Sequence, residues 1–261
     1  LEVVYLNGNG ISTGAAAAIS RFLALQGTQA TSHSLHSLYL SYNPLGDAGA
    51  EALAETLPSA RLRRLTLQST GLNTRGATAL ALSLHNHPSL SVLDLSQGAA
   101  TVRLGQAFNY IEDGALSALR SLVDSAPFEC LSLGHCTLTP AGVSLLAESV
   151  ARSRSLLSYF AASVHVTPAE MYARPFIPAQ GSTRGDAATG AALTREVGEA
   201  EGAAARRLEG NVAAGYGVGY GAWREREGRA VVVDLGVRAV DSVYEGRDFG
   251  VLGRHVSFLL S

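Results

Sequence analysis

Leucines return along this chain in one fixed order, and that order limits the possible folds more than any other feature. Residues 35–57 place Leu35, Leu38, Leu40, Asn43, Leu45, Gly49, Leu53 and Leu57. The order returns 27 residues on, at Leu62, Leu65, Leu67, Thr70, Leu72, Gly76, Leu80 and Leu84. Further copies open at Leu90, Leu93 and Leu95, and at Phe128, Leu131, Leu133, Cys136, Leu138, Gly142, Leu146 and Val150. The first copy is Leu1, Val4, Leu6, Asn9 and Ile11, with Ala15 in the glycine slot, and a worn sixth begins Leu156, Tyr159, Ala161, Val164 and Val166. Nearly every residue between the fixed ones changes. A period of this length means stacked units that share one continuous core.

The physics of one unit is local. Leu38 and Leu40 alternate across a short strand and point inward, as period-two patterning requires. Asn43 stands where the chain turns, and its amide suits the backbone groups inside the bend. Thr70 and Cys136 offer smaller polar groups there, whereas Gly98 and Val164 have none to offer. After Gly49, Ala50, Leu53, Ala54 and Leu57 form a helical stripe.

This pattern resembles the leucine-rich repeat superfamily, with repeats of the ribonuclease-inhibitor type, over about residues 1–174. The resemblance implies an α/β horseshoe solenoid of about six repeats, with parallel strands on the concave face and helices on the convex face. A second region, 175–261, departs from the pattern. There Pro175 and Pro178 interrupt, 181–190 reads as linker, 194–210 as a helix ended by Gly210, and GYGVGYG (215–221) as loop. Strand candidates follow at 230–237 and 256–260. This segment is either a cap over the end of the solenoid or a poorly ordered extension. Two spacings are long: 34 residues from Leu1 to Leu35, and 38 from Leu90 to Phe128, where 98–110 is the extra. Such insertions are rim loops that meet a partner or tolerated slack. The chain opens on a strand leucine, which reads as a portion of a longer protein.

Composition narrows the function. The formal charge is −2, with no lysine among the cations, which argues against general nucleic-acid binding. No 18-residue apolar run is present, so a membrane span is not expected. Two cysteines, Cys130 and Cys136, and no N-x-[ST] sequon favour a reducing, intracellular and cytoplasmic setting. The histidine pairs His33/His36 and His85/His87 lack companion ligands, so no metal is expected. GYGVGYG lacks the flanking elements and lysine of a phosphate loop, so no cofactor is expected either. Catalytic signatures such as G-x-S-x-G and H-E-x-x-H do not occur.

The variable strand residues carry the functional expectation. Between the core leucines runs a column of Tyr5, Tyr39, Thr66, Asp94, Ser132 and Phe160. Beside it stand Tyr42, Arg63, Arg64 and Gln68. Tyrosine and arginine are favoured interface anchors. The reading is a non-enzymatic scaffold, or a subunit of a larger assembly, that binds protein through its concave face at Tyr5, Tyr39, Tyr42, Arg63, Arg64, Gln68, Asp94 and Phe160. Two alternatives stay open. Activators of the Ran GTPase are built from similar repeats, which would give Arg75 or Arg103 a role in trans, although their acidic tail is replaced here by REREGR (224–229). The other is the sensor array of a larger receptor.

Overall fold

The computed structural model describes residues 2–28, 35–97, 107–125, 128–163 and 187–227. Six strands form one open parallel sheet in sequential order: β1 (Val3–Tyr5), β2 (Ser37–Tyr39), β3 (Arg64–Thr66), β4 (Val92–Asp94), β5 (Cys130–Cys136) and β6 (Ser158–Ser163). The outer layer is α1 (Thr13–Thr28), α2 (Gly46–Ala54), α3 (Thr74–Ser83), α4 (Leu116–Ser125) and α5 (Pro140–Arg152). Each helix packs on the next. This is the expected α/β leucine-rich repeat solenoid.

The core leucines behave as their spacing requires. Leu38, Leu40, Leu65, Leu67, Leu93, Leu95, Leu131 and Leu133 are all buried, and each contributes about 1.5–3 kcal/mol on burial. Tyr159, in a leucine slot, is buried too. The first four strands have three residues each, and in the first three repeats the chain leaves the sheet through a left-handed residue: Gly8 at φ 67°, Tyr42 at 59° and Ser69 at 52°.

The turn amide is the stitching between repeats. Asn43 Oδ1 accepts from Asn9 N (2.9 Å) and Ile11 N (3.0 Å), while Nδ2 donates to Leu6 O and Leu40 O, both at 2.8 Å. In the fourth repeat the residue that takes this role is Asn109, not Gly98. Its Oδ1 accepts from Thr70 N (2.9 Å) and Leu72 N (3.0 Å), and its Nδ2 donates to Leu67 O (2.8 Å) and Leu95 O (2.9 Å). The insertion is therefore residues 98–108, placed between the strand and the turn. Gln97 closes its base, accepting from Asn109 N at 3.0 Å and donating to Asn109 O. Cys136 uses its thiol in the same slot, donating to Leu95 O at 3.6 Å.

Beyond the repeats, α6 (Ala187–Tyr216) packs against α5. Ala204 and Leu208 enter the solenoid core, and Asn211 Nδ2 donates to Ser153 O (3.1 Å) and Leu156 O (2.8 Å). Gly210 does not end this helix, because the flanking Leu208 and Val212 are both buried. Packing outweighs the roughly 1 kcal/mol that an interior glycine costs. The expected loop is shorter than 215–221: it spans 217–219, with Gly217 at φ 66°, and leads into a second helix, α7 (Tyr220–Glu227), which brings Trp223 against Val212 and Leu157. The strand candidates at 230–237 and 256–260, the prolines at 175 and 178, and Val164 and Val166 lie outside the described residues.

His87 shows how a polar residue is built into the core. Its Nε2 donates to Leu57 O (3.0 Å), and its Nδ1 accepts from Leu90 N (2.9 Å), which fixes the neutral tautomer. Burial pushes its pKa below the ordinary value of 6.5, against the raising pull of the Leu57 and Ala60 backbone. Its stabilisation is complete above pH 6.5 and is lost as pH falls below it, where the unfolded imidazole takes a proton that the folded one refuses. Stability to urea is expected to drop between pH 6.5 and 5.5 by up to about 1.4 kcal/mol per unit. In His87→Gln that slope should flatten, and an unchanged slope would assign it to other groups.

Candidate functional site

Strand register brings the expected column together. Tyr5 pairs with Tyr39, Tyr39 with Thr66, Thr66 with Asp94, Asp94 with Ser132, and Ser132 with Phe160. These residues alternate with the buried leucines, so the parallel sheet lines them up across its open face. Of Phe160 only this backbone register is described.

The column is not uniform. At its first strands it is open: Tyr5 is 61% exposed, and its ring stacks on the half-buried Tyr39 with centroids 4.4 Å apart and planes 16° apart. Arg64, two residues before Thr66, donates from Nη1 to the Tyr39 hydroxyl at 3.1 Å. Partial desolvation, then the charge and hydrogen bond of Tyr39, raise the Tyr5 phenol above its usual value, and Arg64 opposes them. Arg63 is exposed at the rim. His36 lies 3.7 Å from the Glu2 carboxylate and shares a 3.0 Å hydrogen bond with Ser37. The result is a flat aromatic ledge edged by arginine, about two strands wide.

Three expected contact residues are not exposed. Tyr42 is only 4% exposed, because its left-handed backbone turns the side chain away from the ladder of its neighbours. Gln68 and Asp94 are buried and satisfy each other. Gln68 Nε2 donates to Asp94 Oδ2 at 2.6 Å, while Ser96 N (3.0 Å) and Ser96 Oγ (2.6 Å) donate to Oδ1. A buried carboxylate is tolerated where such donors meet it. Cys130, expected on the open face, is also buried, and burial followed by the Asp94 charge raises its thiol well above the ordinary range. Cys136 is raised for the same reasons. Neither is a reactive thiolate.

Sequence reasoning missed two functional details. Arg75 is not a free cation: its Nε lies 2.9 Å from Glu51 and 3.8 Å from Asp47. The Tyr5–Tyr39 stack was legible only as a column, since ring geometry is not in the spacing. Arg103 lies outside the described residues. Among the described residues no group of three or more His, Cys, Asp or Glu is placed to hold a metal, and no helix is long and apolar enough to cross a membrane.

An open parallel sheet whose strand face carries variable aromatic and charged residues, stitched by turn amides and backed by helices, defines a repeat solenoid of the protein-binding scaffold class. The chain carries leucine-rich repeats, and these resemble the ribonuclease-inhibitor type. The Leucine Rich repeat family model matches residues 31–54 and 125–147. Similar proteins include ribonuclease inhibitor from Sus scrofa, 37% identical over 47% of this chain and 25% of that protein. NACHT, LRR and PYD domains-containing protein 14 from Mus musculus is 30% identical over 53% of this chain and 13% of its own length. Protein 5 of the same name series, from Homo sapiens, is 33% identical over 49% of this chain and 10% of its own. The match thus spans a quarter or less of these relatives.

Proposed function

We propose that this chain is a non-enzymatic protein-binding scaffold, acting within a larger assembly in the cytoplasm, and that the ledge of Tyr5, Tyr39 and Arg64 anchors its partner. Residues 1–174 are the binding array on this reading, and the region after 175 serves as its end cap through α6. The observation that carries it is the Tyr5–Tyr39 stack, held by Arg64 on an otherwise inward-satisfied face. Stacked tyrosines present a large, rigid apolar surface at low entropic cost, and arginine beside them adds directional donors. Arg63, exposed next to them, extends the same patch, while Gln68 and Asp94 are hydrogen-bonded to each other and Tyr42 is buried, so the anchor is confined to the first strands. The ribonuclease inhibitor relative is by its name a protein directed at another protein, which supports the same class.

A second reading, the sensor array of a larger receptor, is favoured by the NACHT and PYD domains in the names of the other two relatives. It uses the same ledge. The GTPase-activator reading is weakened by the pairing of Arg75 with Glu51.

Affinity capture from source cells, followed by titration with the purified partner, tests the ledge. Tyr5→Ala with Arg64→Ala is expected to weaken binding at least tenfold, about 1.4 kcal/mol, as hot-spot truncations do. Leu82→Ala on the convex face, equally exposed, should leave binding unchanged. Equal binding by both variants would move the site off the concave face.

A further inference from the structure

The first repeat shares the core through Ala16 and Leu23 but is barer than the second at several equivalent positions. Residues 34 apart are equivalent in these two units. Gly49 is buried against Ala16, but Ala15, its equivalent, is exposed. The Thr56 hydroxyl meets Ser20 of the preceding helix at 3.0 Å, whereas its equivalent, Phe22, stands 41% exposed. Asn43 is fully buried and stitched to the preceding repeat, while Asn9 is exposed and its side-chain amide donates only to Asn7 O at 3.0 Å among the described residues. Its Oδ1 accepts no hydrogen bond among the described residues. Apart from Tyr5 of the ledge, three of the seven large hydrophobic side chains exposed among the described residues, Val3, Phe22 and Leu25, belong to this one repeat. Among the described residues β1 is also an edge strand, paired on one side only.

We propose that this face receives one more leucine-rich repeat, supplied by the same polypeptide, with its strand parallel to β1 and its helix against α1. Continuity with the repeat–repeat interface already present fixes the register. Asn9 would accept from the incoming turn as Asn43 accepts from Asn9 and Ile11, and Phe22 would pack where Thr56 packs on α1. A second copy of this chain does not fit the same register, because the end it would have to offer is covered in the helical layer by α6. A lone repeat from elsewhere cannot hold its own fold, since one unit has no core of its own.

The test fuses a copy of residues 35–61 directly ahead of residue 1 of the full chain, which sets the incoming leucine 27 residues before Leu1. Hydrogen exchange at the Val3 amide should slow at least tenfold in the fusion, and the urea midpoint should rise. Asn9→Ala should shift the folded-to-unfolded ratio of the fusion by about tenfold, and that of the parent by less than about twofold. An unchanged midpoint and exchange rate, with the same Asn9→Ala effect in both chains, would overturn the proposal. So would a dimer of the parent chain in sedimentation equilibrium that Phe22→Asp disperses, since a second copy would then be the occupant.

Discussion

Asn109→Ala will destabilise the array by about 3–5 kcal/mol, far more than Asn9→Ala at the equivalent position of the first repeat. Asn109 is fully buried, and its amide serves Thr70 N, Leu72 N, Leu67 O, Leu95 O and, at 3.3 Å, Ser96 O. Alanine leaves two buried N–H donors and three carbonyls short of a partner between two repeats. Each such group costs about 1–3 kcal/mol when no water reaches it, and the sum is limited by local relaxation. A pair of equal-length deletions isolates the cause. Removing 98–108 joins Gln97 to Asn109 and recreates the Leu40-Ser41-Tyr42-Asn43 pattern as Leu95-Ser96-Gln97-Asn109. Removing 99–109 leaves Gly98 in the slot instead. The first is expected to unfold in urea within about 1 kcal/mol of the parent, because loop length changes stability only slowly. The second should lose what Asn109→Ala loses. Equal stability of the two deletions would show that the turn amide contributes little.

The same residue marks where sequence reading ends. The column from Tyr5 to Phe160 was legible strand by strand, because inward leucines two apart leave no freedom in what points outward. A fixed offset from Leu95, however, lands on Gly98, since the insertion falls between strand and turn rather than after the repeat. The signal was present further on: Asn109, Ile111, Ala115, Leu119 and Val123 copy the spacing of Asn43, Leu45, Gly49, Leu53 and Leu57. Exposure was less legible than position. Tyr42 is turned away by a left-handed backbone, and Gln68 and Asp94 are held down by each other, neither of which a pattern of apolar residues records. In the C-terminal region Gly210 read as a stop, yet the burial of Leu208 and Val212 carries α6 through it.

The glycine slot has a cause of its own, and it yields the second large effect. Asp113 Oδ1 accepts from Thr139 N (2.8 Å) and its Oδ2 from Thr139 Oγ1 (2.5 Å), while Thr139 Oγ1 accepts from Gly142 N (3.1 Å). One repeat's carboxylate thus caps the next repeat's helix, where the helix dipole also favours negative charge. Asp47 does the same at Asn73 N (2.7 Å) and Gly76 N (3.0 Å). A Cβ at Gly142 would collide with the Asp113 carboxylate, whose atoms are its three nearest neighbours. Where the preceding repeat has Thr74 in place of the aspartate, the slot holds Ala115, whereas Gly49 follows Thr13 and is crowded by Leu45 and Ala16 instead. Gly142→Ala is therefore expected to cost about 2 kcal/mol by evicting the cap, and Asp113→Ala about 1–2 kcal/mol by deleting it. In the Asp113→Ala background the sign should reverse. Gly142→Ala then meets open space and gains the roughly 0.5–1 kcal/mol by which alanine exceeds glycine in a helix. A double-mutant cycle by urea denaturation measures this as a coupling of about 2–3 kcal/mol, near the upper end for residues in contact. If Gly142→Ala costs the same in both backgrounds, the collision is with something other than Asp113, and the pairing of aspartate with glycine along the array is incidental.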